Sequence, residues 1–173
     1  MALPELACLG SLANMRSGLR GVHEAAAHCD IPCKIYDPAI ALIAATTIVR
    51  LIDLLEEVSD TSSLSGGAQL SRIVASKEEH AITVKQEVST IWGDYFKAPQ
   101  IAQFPEIDRL VHDIMQTSSA CKQGIDREDG LTLIEQLNRF AAIYWHSKGV
   151  DTQLLICPYP PAVSICHPVL ERA

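Results

Sequence analysis

From Pro38 onward the apolar residues recur mostly three and four positions apart, the spacing of amphipathic helices rather than the alternation of strands. Asp37 followed by Pro38 is a strong helix start, since an acceptor side chain stands at the cap and a proline with suitable φ follows it. The first helix is predicted from about Pro38 to Glu57, with Ile40, Ile43, Thr47, Leu51 and Leu54 or Leu55 lining the buried face. Ser59 to Gly67 reads as a loop from its serines and glycines. A second helix follows from about Ala68 to Tyr95, with Leu70, Ile73 or Val74, Ala81, Val84, Val88, Ile91 or Trp92, and Tyr95 inward. Lys97-Ala98-Pro99 ends it. Pro105 opens a third helix that turns Ile107, Leu110 or Val111, Ile114 and Ser118 inward. Gly124 to Gly130 is a turn region, and a fourth helix carries Leu131, Ile134, Leu137, Ala141 and Tyr144 and ends near Gly149. Four amphipathic helices with short connections predict an all-α, antiparallel four-helix bundle.

Composition narrows this picture. A chain of 173 residues suits one domain with appendages. Its 48% apolar and 20% charged residues exclude wholesale disorder, and the 5% aromatic content favours a helical bundle over a β-sandwich. Apolar runs are short and interrupted, so no membrane-spanning helix is expected. Fourteen basic against twenty-one acidic side chains leave a net charge of −7. No Lys/Arg block stands out, which argues against a nucleic-acid partner. Six cysteines are too sparse for a disulfide-rich secreted framework.

The two ends differ from the middle. In residues 1–27 the charges of Glu5, Arg16, Arg20 and Glu24 cancel, and the apolar residues form no long periodic face. Ala25-Ala26-Ala27 looks like the end of a secretory signal, but Glu5 within the apolar stretch and the arginines after it do not fit export. A removable leader of another kind, and a cytoplasmic location, are expected. Residues 28–149 would be the bundle domain. The tail, 150–173, holds the run CPYPPAVSICHPVL and cannot continue a helix. It is expected to pack as extended structure on the bundle or to reach a neighbouring subunit. Cys157, Cys166 and His167 do not make a closed metal site.

The chemistry concentrates at His28-Cys29-Asp30-Ile31-Pro32-Cys33. Cleavage between Ala27 and His28 would free an α-amine. That amine, the Cys29 amide nitrogen and the Cys29 thiolate form two fused five-membered chelate rings, and Cys33 returns a second thiolate across the Pro32 turn. The His28 imidazole is near enough to bind axially. A planar N₂S₂ set suits Ni(II) or Cu(II), whereas zinc prefers a tetrahedron. On spacing alone, Cys-x-x-x-Cys is more often two unrelated thiols or a disulfide than a metal site.

The stretch His28-Cys29-Asp30-Ile31-Pro32-Cys33-Lys34-Ile35-Tyr36-Asp37-Pro38 closely resembles the N-terminal nickel hook of nickel-containing superoxide dismutases, H-C-D-x-P-C-x-x-Y-D-P. A second block, Trp92-Gly93-Asp94-Tyr95-Phe96-Lys97-Ala98-Pro99, resembles that family's W-x-D-Y-F-K-x-P, with Phe104-Pro105-Glu106 following at the expected distance. Ser119-Ala120-Cys121-Lys122 and Tyr144-Trp145-His146-Ser147-Lys148-Gly149 resemble the ends of its last two helices. The likeness runs from residue 28 to about 150. It implies a four-helix bundle assembled as a homohexamer, with one nickel per subunit cycling between Ni(II) and Ni(III) to disproportionate superoxide in antioxidant defence. It further implies that His28, Cys29 and Cys33 ligate the metal and that Asp30 and Pro32 shape the hook. Tyr36 and Tyr95 would line the open face of the metal, and a maturation peptidase would cut at Ala27/His28. Lys34 and Lys97 are candidates for local steering, which the net negative chain needs. Two positions depart from some members: Ala44 where a glutamate supports the imidazole, and His80 where an arginine does. His80 is therefore a candidate substitute support, and a non-catalytic nickel-binding paralogue is the alternative reading.

Overall fold

A computed structural model of the chain describes residues 34–171. Asp37 opens the first helix as expected: its Oδ1 accepts the Ala39 N–H at 2.8 Å, and α1 runs Ala39–Glu56. The predicted inner face of α1 is, however, the outer one. Ile40 and Ile43 are 52% and 56% exposed, while Ala41, Leu42, Ala44, Ala45, Ile48, Val49 and Ile52 are buried. The helix is apolar nearly all round, so periodicity alone cannot choose a face. Burying the alanine-rich side lets the neighbouring helices approach more closely than the isoleucine side would.

The next helix, α2 (Leu64–Tyr95), starts four residues before the expected Ala68 and takes in part of the predicted loop. Ser63 caps it, accepting the Gly66 N–H at 3.1 Å, and the Asp60 carboxylate holds Ser62 and Ser63 in the preceding turn. Of the Ile91 or Trp92 pair, Ile91 is the buried one; Trp92 is exposed, and its Nε1 donates to Asp108 Oδ1 at 2.8 Å. After Lys97 comes a short helix that the sequence reading did not anticipate, α3 (Ala98–Gln103), with Pro99 in its first turn and the Gln100 side chain accepting the Lys97 N–H.

Helix α4 (Ile107–Gln123) buries Ile107, Leu110, Val111, Ile114 and Ser118 as expected. Helix α5 (Arg127–His146) begins inside the predicted turn, because Asp126 caps it by accepting the Glu128 N–H at 2.9 Å. Gly130 is thus helical. A Cβ there would lie 2.8 Å from Val49 Cγ2, so glycine permits the close α5–α1 approach. Arg127 Nε meets Asp53 Oδ1 at 2.8 Å across the same pair of helices.

Packing follows chain order: α1 on α2, α2 on α4, α4 on α5, and α5 back on α1. This closed square is the four-helix bundle that the periodicity predicts. The tail adds a two-stranded antiparallel hairpin, β1 (Thr152–Ile156) and β2 (Ser164–Pro168), laid on α5 mainly through β2. No described helix is long and apolar enough to cross a membrane.

Candidate metal centre

His28, Cys29, Asp30, Pro32, Cys33 and the Ala27–His28 cut lie outside the described residues. Residues 34–37 run without regular structure into α1, with Lys34 exposed and in the left-handed region at φ 59°. Tyr36 and Tyr95, 59 positions apart, are brought together with ring centroids 6.3 Å apart. Tyr95 sits at the C-terminal end of α2, and Phe96 packs edge-on against it at 5.2 Å while also reaching Phe140 of α5. The two blocks of sequence that carry the family likeness therefore meet in space.

A third tyrosine completes the cluster. Tyr144 of α5 is buried, its ring 4.9 Å from that of Tyr95 and 5.1 Å from that of Trp145. Its hydroxyl donates to the Tyr36 backbone carbonyl, pinning the chain just before α1 to the last helix. Burial pushes the Tyr144 phenol above the usual tyrosine range, reinforced by Tyr95, Asp37 and Tyr36, so it stays a neutral donor. Ser147 Oγ donates to the Tyr144 carbonyl at 2.7 Å. Its single hydrogen being spent, it accepts from Tyr95 Oη, also at 2.7 Å. Lys148 places its ammonium 4.5 Å from the Tyr95 ring centre and 5.0 Å from that of Tyr144. Ser147 and Lys148 follow directly on the end of α5 at His146, three and four residues after Tyr144. The sequence reading put Tyr144 in the core and gave Ser147 and Lys148 no role.

The other candidates lie apart from this cluster. Lys97 is exposed, and its Nζ donates to the Gly93 carbonyl at 2.6 Å, closing the C-terminal end of α2. His80 stands fifteen residues up α2 from Tyr95, about 22 Å along the axis. Its Nδ1–H donates to the Ser76 carbonyl at 2.7 Å, a bond within its own helix. Ala44 is buried in the core and offers no polar support. Cys157 and Cys166 are free and buried. Among the described residues no group of three or more His, Cys, Asp or Glu side chains is placed to hold a metal.

The comparisons with known proteins coincide with this arrangement. The family model for nickel-containing superoxide dismutase matches residues 23–148, from just before the hook to the end of the bundle. The chain is 33% identical over 122 residues to superoxide dismutase [Ni] of Streptomyces coelicolor, covering 70% of this chain and 88% of that protein. It is 31% identical over a stretch of the same length to the enzyme of that name from Streptomyces seoulensis. The fold superposes on the native 1.30 Å structure of nickel superoxide dismutase with a TM-score of 0.60 at 32% identity, covering 70% of this chain and 99% of that one. With its hook sequence, its paired tyrosines and its closed helical square all inside the matched region, the chain belongs to the family of nickel-containing superoxide dismutases, oxidoreductases that act on superoxide.

Proposed function

We propose that the chain is a precursor which, once cut between Ala27 and His28, disproportionates two superoxide ions and two protons to oxygen and hydrogen peroxide. His28 through its amine and imidazole, Cys29 through its amide and thiolate, and Cys33 through its thiolate would hold nickel, whose Ni(III)/Ni(II) couple supplies the one-electron chemistry. The uncut chain has an amide at His28 in place of the amine, so maturation by a peptidase switches the site on. The observation that carries this reading is the meeting of Tyr36 and Tyr95 directly after the hook.

The chain's own residues have definable tasks in this scheme. Tyr144 fixes the start of α1 through the Tyr36 carbonyl, so the hook springs from an anchored point. Tyr95, donating to Ser147, keeps its oxygen lone pairs open to order water or a peroxide proton. Lys148, over the Tyr95 and Tyr144 rings, sets local positive potential on a chain of net charge −7, a better-placed source of steering than the exposed Lys34 or Lys97 at the end of α2. The free buried thiols Cys121, Cys157 and Cys166 fit a reducing compartment, and we place the protein in the cytoplasm. The open Ile40–Ile43 stripe of α1 offers an apolar contact surface for the homohexamer implied by the family.

Ala44 and His80, the latter bonded to its own helix backbone, favour one competing reading, a paralogue that binds nickel without turnover. Intact mass and metal analysis of the mature protein, with superoxide decay followed by stopped flow, separate the two. A chain starting at His28 with one nickel and rapid decay is expected. Stoichiometric nickel without decay would establish the paralogue, and full activity with residues 1–27 attached would refute the maturation scheme.

A further inference from the structure

The C-terminal hairpin lies beyond residues 23–148, the part of the chain that the family model matches. Its two edges are unlike. The outer edge of β2 is closed by one side chain: Asn138 of α5 donates to the Ser164 carbonyl at 3.0 Å and accepts the Cys166 N–H at 2.8 Å. Ser164 and Cys166 therefore turn their backbone groups away from β1, which sets the phase of the ladder. The bonded pairs are Gln153–His167 and Leu155–Ile165, continued by Val169 N–H to the Asp151 carbonyl and Cys157 N–H to the Val163 carbonyl. It follows that Thr152, Leu154 and Ile156 point their N–H and C=O groups outward from β1. The side chains around that edge are apolar and open, with Leu154, Leu155 and Ile156 exposed by 63%, 46% and 70%. The strand TQLLI carries no charge and no proline, so it lacks the usual protection of an edge.

We infer that β1 is a self-association edge, on which β1 of a second copy of this chain pairs antiparallel about a two-fold axis through Leu154. In that register Leu154 faces its own counterpart and Thr152 of each copy faces Ile156 of the other. Every outward N–H and C=O of these residues then meets a partner, and Leu154 and Ile156 of both copies pack on one face. An uncharged strand offers nothing for a charged partner to address, whereas an identical strand matches it group for group. Leu154, Leu155, Ile156 and the neighbouring exposed Val169 and Leu170 bring roughly 400–500 Å² of apolar surface per copy, at about 100 Å² for each side chain. That is about half of the ~800 Å² per partner typical of a standing dimer, so the contact forms at high concentration and opens on dilution.

The test uses the full chain, with sedimentation and residue-resolved amide exchange across a concentration series. The Leu154 and Ile156 amides are expected to gain protection as concentration rises, while the Gln153 and Leu155 amides stay protected throughout. Leu154→Pro removes the outward N–H together with the leucine that packs across the two-fold axis, and Ile156→Lys adds a charge at the edge. Each should weaken self-association at least ~30-fold, the equivalent of about two ladder hydrogen bonds, with helical content unchanged. Because the amides are read individually, association through the bundle alone is distinguishable: it would raise the mass and leave Leu154 unprotected. That outcome, or wild-type association by both variants, overturns the inference, as does protection of Leu154 only in the presence of a different protein.

Discussion

Lys77 is the most exacting test of the packing argument. It lies in the run Lys77-Glu78-Glu79-His80 and looks like a solvated lysine, yet it is only 2% exposed. Its ammonium donates to the carbonyls of Cys121, Lys122 and Gly124, at 2.9 Å for Lys122 and 2.8 Å for Gly124. These are carbonyls at the C-terminal end of α4, which have no partner within their own helix, and the positive charge complements the negative end of the helix dipole. Burial pushes the Lys77 amine below the usual lysine range, while Glu78 and Cys121 oppose that shift. Lys77→Met keeps the unbranched stem and deletes the donors. Hydrogen bonds to a charged group contribute about 1.5–3 kcal/mol each, and removing one side of a buried charged contact costs about 3–5 kcal/mol. The Lys122 and Gly124 carbonyls lie at a turn where water can replace the lost donor. The lower end applies, about 3 kcal/mol, equivalent to a melting point lower by roughly 10 °C. Urea unfolding followed by circular dichroism measures this, with the exposed Arg72→Met as a control expected within about 0.5 kcal/mol of the parent. If Lys77→Met falls within about 1 kcal/mol of that control, the capping account of α4 is wrong.

Other consequences can be checked alongside. Tyr144→Phe keeps the ring stack but strips the donor from the Tyr36 carbonyl; it should lose about 1 kcal/mol of stability and release nickel from the processed chain several-fold faster. An unchanged release rate would confine that bond to holding the bundle. Burial, with the Asp129 charge adding to it, pushes the Cys121 thiol from 9.0 up to about 11. The folded chain therefore binds this proton more tightly than the unfolded one, and the stability is fully present below pH 9 and lost as pH rises toward 11, by at most ~1.4 kcal/mol per unit. The stability advantage of the parent over Cys121→Ala should accordingly shrink by about 1–2 kcal/mol between pH 8 and 10.5. A constant difference would contradict a buried neutral thiol.

The four long helices and their order are legible in the chain because α2, α4 and α5 are each polar on one side and apolar on the other, whereas the short α3 is not. The inner side of α1 could not, because Ile40 and Ile43 are as apolar as Ile48 and Val49. The choice between them belongs to the close fit of Ala41, Ala44 and Ala45 against the neighbouring helices. Helix starts were missed where a side chain cap overrode local composition, at Ser63 ahead of two glycines and at Asp126 ahead of Gly130. The pairing of Tyr36 with Tyr95 follows from two motifs whose chemistry requires proximity. Lys148, in contrast, acquires its place only when α5 ends beside α2, a long-range outcome that residue spacing cannot express.

The clasp of Asn138 on β2 has a bearing on how the tail came to sit where it does. One carboxamide supplies both a donor and an acceptor, the same complement that a neighbouring peptide unit would offer. A single half-buried amide thus stands in for a third strand, while Cys157, Ile165 and Cys166 of the ribbon bury themselves in the same core as the helices.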